Sequence, residues 1–348
     1  MQTTSLTLAA SVLSFSSLAV AGGDVRLQGA GATFPNPLYQ RWVSEYQKSH
    51  PTVKIDYQSI GSGGGIKAIT EKTVHFAGSD APLNKKELTA LGEGNVVQIP
   101  SCAGAVVPAY NLPDVKGEIN FTGEILAEIY MGKVSKWNDP KIAAINPGIN
   151  LPDMGITPAW RSDGSGTTFV FTNYLATQSE AYKGSIGAGK QVQWPVGQGG
   201  KGNEGVAAAV QGTTGALGYI ELNYALANKI SFASVKNKDG KFVKATPETV
   251  AAAGEGAVKD LQGNVLAANI WNQPGEKSYP IASFTYLIFY KDLSTAKSAD
   301  EAKTLIDFAN WCVTDGQKIA SEMDYAPLAP AVKGKVDAAL KALSFGGK

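Results

Sequence analysis

Four times along these 348 residues, a short apolar stretch runs into a glycine-rich turn and then into apolar residues at helical spacing. Asp24 to Gln28 leads into Gly29-Ala30-Gly31-Ala32-Thr33-Phe34, and Pro35 opens a helix carrying Leu38, Trp42, Val43 and Tyr46 to about Ser49. Val53, Ile55 and Tyr57 alternate before Ile60-Gly61-Ser62-Gly63-Gly64-Gly65 and a helix from Ile66 to about Lys72. Ile156 to Trp160 feeds Arg161-Ser162-Asp163-Gly164-Ser165-Gly166-Thr167 and a helix through Phe169, Thr172 and Leu175. Gln193 to Val196 is read as a strand before Gly197-Gln198-Gly199-Gly200-Lys201-Gly202 and a helix from Asn203 to Gln211. That repeated unit predicts an α/β fold with mostly parallel strands. Ligands in such sheets sit beyond the carboxyl ends of the strands, where these turns lie.

The remaining pattern fits the same class. His75 to Gly78 reads as a strand that delivers Ser79-Asp80-Ala81-Pro82. Asn84 to Leu91 and Thr122 to Met131 read as helices. Val96 to Pro100 and Ala105 to Asn111 read as two strands, the second crossing between lobes. Gly215 to Glu221 and Ser283 to Tyr290 are further strands, and the tail carries helices from Ala299 to Val313 and from Ala331 to Leu343. The length suggests two lobes.

Residues 1–21 form a unit of their own: Leu6 to Val20 is apolar or small, and Ala19-Val20-Ala21 matches a small-x-small cleavage site. This predicts an exported chain cut near Ala21, although Arg26 is the first basic residue. The run is shorter than the ~20 residues a membrane span needs, and a soluble mature protein is expected. Export permits a bridge between Cys102 and Cys312, the only cysteines, and one is expected over two buried thiols. A metal site is not expected, because His50 and His75 stand apart from the cysteines. The net charge of +1 from 31 basic and 30 acidic residues argues against a nucleic-acid binder. An anionic ligand would have to be held by local groups.

The stretch around Arg161 supplies such groups. A helix opening after Gly164 and Gly166 aims unpaired N–H groups and the positive dipole end into the turn. Ser165 and Thr167 add hydroxyls, and Arg161 adds a planar fork that matches oxyanions. Asp163 is placed to hold that fork in one rotamer. A capped helix with a surface ion pair reads equally well from these residues alone. Asp80 is the informative acid: a carboxylate acceptor among donors selects an oxyanion that still carries a proton, and it repels sulfate. It also reads as a helix cap or a turn aspartate. Gly197 to Gly202 meets the G-x-G-x-x-G spacing with Glu221 downstream, but the loop comes late and its helix is short, so it reads as a turn packing a helix on the sheet. Ser62 and Ser165 lack the G-x-S-x-G spacing and a placed histidine base, which argues against hydrolysis.

Together these stretches resemble the periplasmic phosphate-binding proteins of high-affinity phosphate ABC importers. The resemblance rests on Gly29 to Pro35, Ile60 to Gly65, Gly78-Ser79-Asp80-Ala81-Pro82-Leu83, Arg161 to Thr167, Trp194 to Gly205, Gly215 to Tyr219 and Asp324-Tyr325-Ala326-Pro327-Leu328. It implies a two-lobed, type II binding protein: residues 22–110 plus 281–348 form one lobe and residues 111–280 the other. It implies phosphate ligands at Thr33, Phe34 (backbone N–H), Ser62, Asp80, Arg161, Ser165, Gly166 (backbone N–H) and Thr167, with Asp163 pairing Arg161. It further implies closure by a hinge, a soluble periplasmic monomer without a cofactor, and the permease and ATPase subunits of an importer as partners. His75 is expected at the cleft rim, and Trp160 stands beside the ligand arginine without an assigned role. A phosphatase on the same scaffold and an extracellular phosphate sensor are the competing functions.

Overall fold

The computed structural model describes residues 24–293 and 295–346. The leader expected over residues 1–21 lies outside them. Among the described residues, twelve strands alternate with thirteen α-helices: β1 Val25–Gly31, β2 Val53–Ser59, β3 Phe76–Ser79, β4 Val96–Tyr110, β5 Asn120–Phe121, β6 Thr157–Arg161, β7 Gln198–Gly200, β8 Ala216–Glu221, β9 Ser231–Phe232, β10 Ser234–Lys236, β11 Phe242–Val243 and β12 Ala282–Tyr290.

The main sheet runs β2-β1-β3-β12-β4-β8-β6-β7, with β9 also pairing to β4. It has a parallel block at each end. β1 pairs in parallel with β2 and β3, and β6 pairs in parallel with β8 and β7. Between the blocks, β4 and β12 are antiparallel, so the sheet is mixed. The parallel blocks arise where the chain returns through a helix, which forces a crossover. Helices such as Asn36–Ser49 supply that return: Leu38, Tyr39, Trp42, Val43 and Tyr46 recur on one buried face.

β4 is the element shared by the two halves. Sequence reasoning divides it at Ser101–Gly104, yet it is one fifteen-residue strand, buried throughout. Its segment Val96–Ala105 pairs with β12 and Val106–Tyr110 pairs with β8. The small residues between are needed because Phe34 packs on Gly104, where a Cβ would lie 2.7 Å from the ring. Residues 264–266 reach back to the first half: Gln98 donates its backbone N–H to Asn264 O and accepts that of Leu266.

Three further expectations change. The helix after β2 begins at Ser62, because Gly65 packs against Gly31 (a Cβ would come within 2.5 Å of its Cα) and three glycines are absorbed into the first turns. Gln193 to Val196 is not a strand; β7 begins at Gln198, after Gly197 turns the chain at φ +90°. Cys102 and Cys312 are free, buried thiols and not the expected bridge. Burial in apolar surroundings pushes both thiols well up, so they pack as small neutral hydrophobes.

Candidate functional site

The turns that follow β1, β2, β3 and β6 converge at the middle of the sheet. Thr33, Phe34, Ser62, Asp80, Arg161, Ser165 and Thr167 are each at most 2% exposed. The polar ones arrive from opposite halves, and the cleft is shut over them.

Ser62 links the halves. Its Oγ accepts the N–H of Asp80 (3.2 Å) from its own half and the N–H of Gly166 (3.1 Å) from the other. The approach is close enough that a Cβ on Gly166 would lie 2.4 Å from Asp80 Oδ2 and 2.5 Å from Ser62 Oγ. Gly63 N donates to Gly164 O at 2.8 Å across the same seam. Gly61, with φ +83°, lets the chain enter the helix beside Asp163, where any side chain would collide with Oδ2.

Asp80 follows the last residue of β3, with both oxygens turned to partners in the cleft. Oδ1 accepts from Thr285 Oγ1 at 2.8 Å, and Oδ2 takes a long bond from Ser62 Oγ at 3.5 Å. Burial pushes its carboxyl up to about 7, opposed by the Thr285 bond, the Arg161 charge and the Ser62 bond. Asp80 therefore sits close to its protonation midpoint at neutral pH.

Arg161 ends β6 with its guanidinium fixed on three sides. Nε donates to Asp163 Oδ1 (2.8 Å), Nη2 to Asp163 Oδ2 (2.5 Å) and Nη1 to Thr167 Oγ1 (3.2 Å). Burial alone would raise the Asp163 carboxyl, but the Arg161 bonds and charge and the Gly202 N–H outweigh it and hold it below the usual range. The pair is thus ionised, with the remaining guanidinium N–H groups free to meet an oxyanion. Behind it, Arg161 N donates to Tyr219 Oη, which is bonded to Thr168 Oγ1. Ser165 caps the helix Gly166–Gln178 by accepting from Thr168 N at 3.0 Å.

Several participants were not marked in the sequence. Asn203 Nδ2 donates to Thr33 Oγ1 at 2.7 Å and to Thr167 Oγ1 at 3.1 Å, tying the two halves together. Its position gives a usable signal: like Ser62 and Thr167, it follows a glycine-rich turn at a helix start. Thr285 and Tyr224, whose Oη donates to Thr33 O at 2.6 Å, come from distant parts of the chain and offered none.

Three residues singled out in the sequence lie elsewhere. His75 is at the opposite end of β3 from Asp80; Nδ1 accepts from Gln28 N and Nε2 lies 3.3 Å from Glu301, so it is not at the cleft rim. Trp160 faces away from Arg161 by strand alternation, donates Nε1 to Val196 O and packs on Gly199. Glu221 is no ribose ligand: it caps the helix Leu222–Ala227 and takes a bond from Tyr325 Oη, while burial pushes its carboxyl well up.

A donor-lined cleft closed between two halves of a mixed sheet is the architecture of a two-lobed solute-binding protein. Residues 18–315 match the PBP superfamily domain. The chain is 45% identical over 320 residues to the phosphate-binding protein PstS of Xylella fastidiosa, covering 90% of this chain and 85% of that one. It is 42% identical over 328 residues to phosphate-binding protein PstS of Pasteurella multocida, covering 94% and 93%. Among solved structures it shares its fold with a high-affinity periplasmic phosphate-binding protein bound with phosphate (TM-score 0.74, 22% identity, 90% and 93% covered). The phosphate-binding protein of Stenotrophomonas maltophilia is similar in fold at TM-score 0.69, with 22% identity over 90% and 93% of the two chains. The chain belongs to the PstS family of phosphate-binding proteins. Among the described residues no helix is long and apolar enough to cross a membrane.

Proposed function

We propose that this protein is a periplasmic receptor that clasps inorganic phosphate between its lobes and delivers it, as a monomer, to the permease and ATPase subunits of an ABC importer. The reading is carried by one observation. A buried cluster of hydroxyl, amide and guanidinium donors from both halves surrounds a single carboxylate acceptor, Asp80. In this reading the ligands are Thr33, the Phe34 N–H, Ser62, Asp80, Arg161, Ser165, the Gly166 N–H and Thr167, and Asp163 keeps Arg161 charged and oriented. Residues 22–110 plus 281–348 form one lobe and 111–280 the other, with 264–266 returning to the first.

Asp80 and phosphate share one proton. With Asp80 ionised, it accepts a proton that the anion still carries; with Asp80 protonated, the more highly charged anion receives a donor. Sulfate meets an ionised Asp80 as an unpaired like charge. The protein acts by binding and closure, without turnover. Phosphate at about a thousand times its Kd should raise the melting temperature of ligand-stripped protein by roughly 6 °C. Equal sulfate should leave it unchanged, and no phosphate should be released from a monoester. Stabilisation by both anions would reject the selectivity, and release abolished by changing Ser62 would favour the phosphatase.

A further inference from the structure

We propose that Asn203 fixes the direction of the hydroxyl protons in the cleft, so that Thr33 and Thr167 can only donate to the bound anion. The inference rests on the phosphate-binding reading and deepens it.

A hydroxyl has one proton to give and two positions at which to accept. Thr33 Oγ1 accepts from Asn203 N at 3.1 Å and from Asn203 Nδ2 at 2.7 Å. Thr167 Oγ1 accepts from Arg161 Nη1 at 3.2 Å and from Asn203 Nδ2 at 3.1 Å. Both acceptor positions of each oxygen are filled, which leaves only the proton. The orientation of the amide is itself determined. Asn203 Oδ1 accepts from Glu221 N at 2.9 Å, so the NH2 group must face the threonines. Its two protons then serve one threonine from each half. Asn203, Thr33 and Thr167 are all buried, so water does not compete for these positions.

Ser62 reaches the same condition through the backbone, accepting from Asp80 N and Gly166 N. Three hydroxyls are therefore set as donors, and two depend on one side chain. A threonine relieved of the Asn203 bond could rotate and accept from a protonated ligand, which would duplicate the role of Asp80 and blur the selection. Asn203 is a positioning residue: it acts through the two threonines.

The test is a mutant cycle read by phosphate calorimetry on ligand-stripped protein. Asn203→Leu keeps the side-chain bulk and Asn203→Ala removes it; neither side chain can donate, and only the backbone N–H to Thr33 remains. Each should weaken phosphate binding about 10- to 100-fold in the parent. In a Thr33→Val/Thr167→Val background, the same changes should weaken binding further by less than about threefold, because the hydroxyls they orient are gone. An equal loss in both backgrounds would overturn the proposal and assign Asn203 to packing. An unchanged parent affinity, or loss of the folded circular dichroism spectrum in both variants, would overturn it as well. A parent that gives no heat with phosphate would instead refute the phosphate reading, and this inference with it.

Discussion

Asp80 is the residue at which burial and hydrogen bonding pull against each other. Burial pushes its carboxyl up to about 7 from a usual value of 3.8, despite Thr285, Arg161 and Ser62. Between roughly pH 4 and pH 7 the folded chain therefore binds the proton that the unfolded chain has lost. Stability of the ligand-free protein falls as pH rises through that window, and the loss is complete above it. Asp80→Asn removes the term. The ligand-free variant should be more stable than the parent at pH 8, by up to about 4 kcal/mol, with little gain at pH 4. Denaturant unfolding at both values measures this; an equal gain at each would contradict it. The pairing of Arg161 with Asp163 was legible because the two stand two positions apart. Thr285 meets Asp80 from 205 positions away and Asn203 meets Thr33 from 170, distances at which one sequence carries no contact signal.

Among the elements, the glycine-rich turns were legible and their edges were not. Gly63, Gly64 and Gly65 have poor helix propensity, which moved the expected start of that helix to Ile66. Packing decides otherwise, since Gly65 lies against Gly31 and Gly63 against Gly164, where larger residues would not fit. The same competition hid β7: Trp194 and Val196 look β-forming, but Gly199 and Gly200 are what fit between the Trp160 ring and Gly205. Gly166 tests the consequence. Alanine there improves helix propensity but brings a methyl to 2.4 Å from Asp80 Oδ2. Gly166→Ala should keep ligand-free stability within about 1 kcal/mol and weaken phosphate binding by at least ~100-fold. Melting curves and a phosphate titration read the two effects. An unimpaired affinity would show that the seam need not close this tightly.

The molecule is built on one large mixed sheet whose halves share β4 and face each other across donors, with a small three-stranded sheet, β11-β10-β5, beside it. Several contacts span the seam besides Ser62–Gly166: Gly63 with Gly164, Thr33 with Asn203 and Tyr224, and the Lys190–Glu87 ion pair, about one-fifth exposed on each side. The α/β class could be read from the rhythm of turns, whereas the shared strand reads as two because Ser101–Gly104 looks like a break. The mixed hydrogen-bond pattern could not be read, because the antiparallel entry of β12 depends on where the tail returns. Net charge is nearly balanced, so an anion is drawn by the cleft and not by a general field. The most direct measurement is calorimetry of ligand-stripped protein with phosphate and with sulfate at pH 8. One phosphate per chain should bind with a Kd of about 1 µM or tighter, and sulfate at least ~100-fold more weakly. Absence of phosphate binding, or sulfate binding of equal strength, would contradict a cleft of donors with one acceptor that checks for a proton.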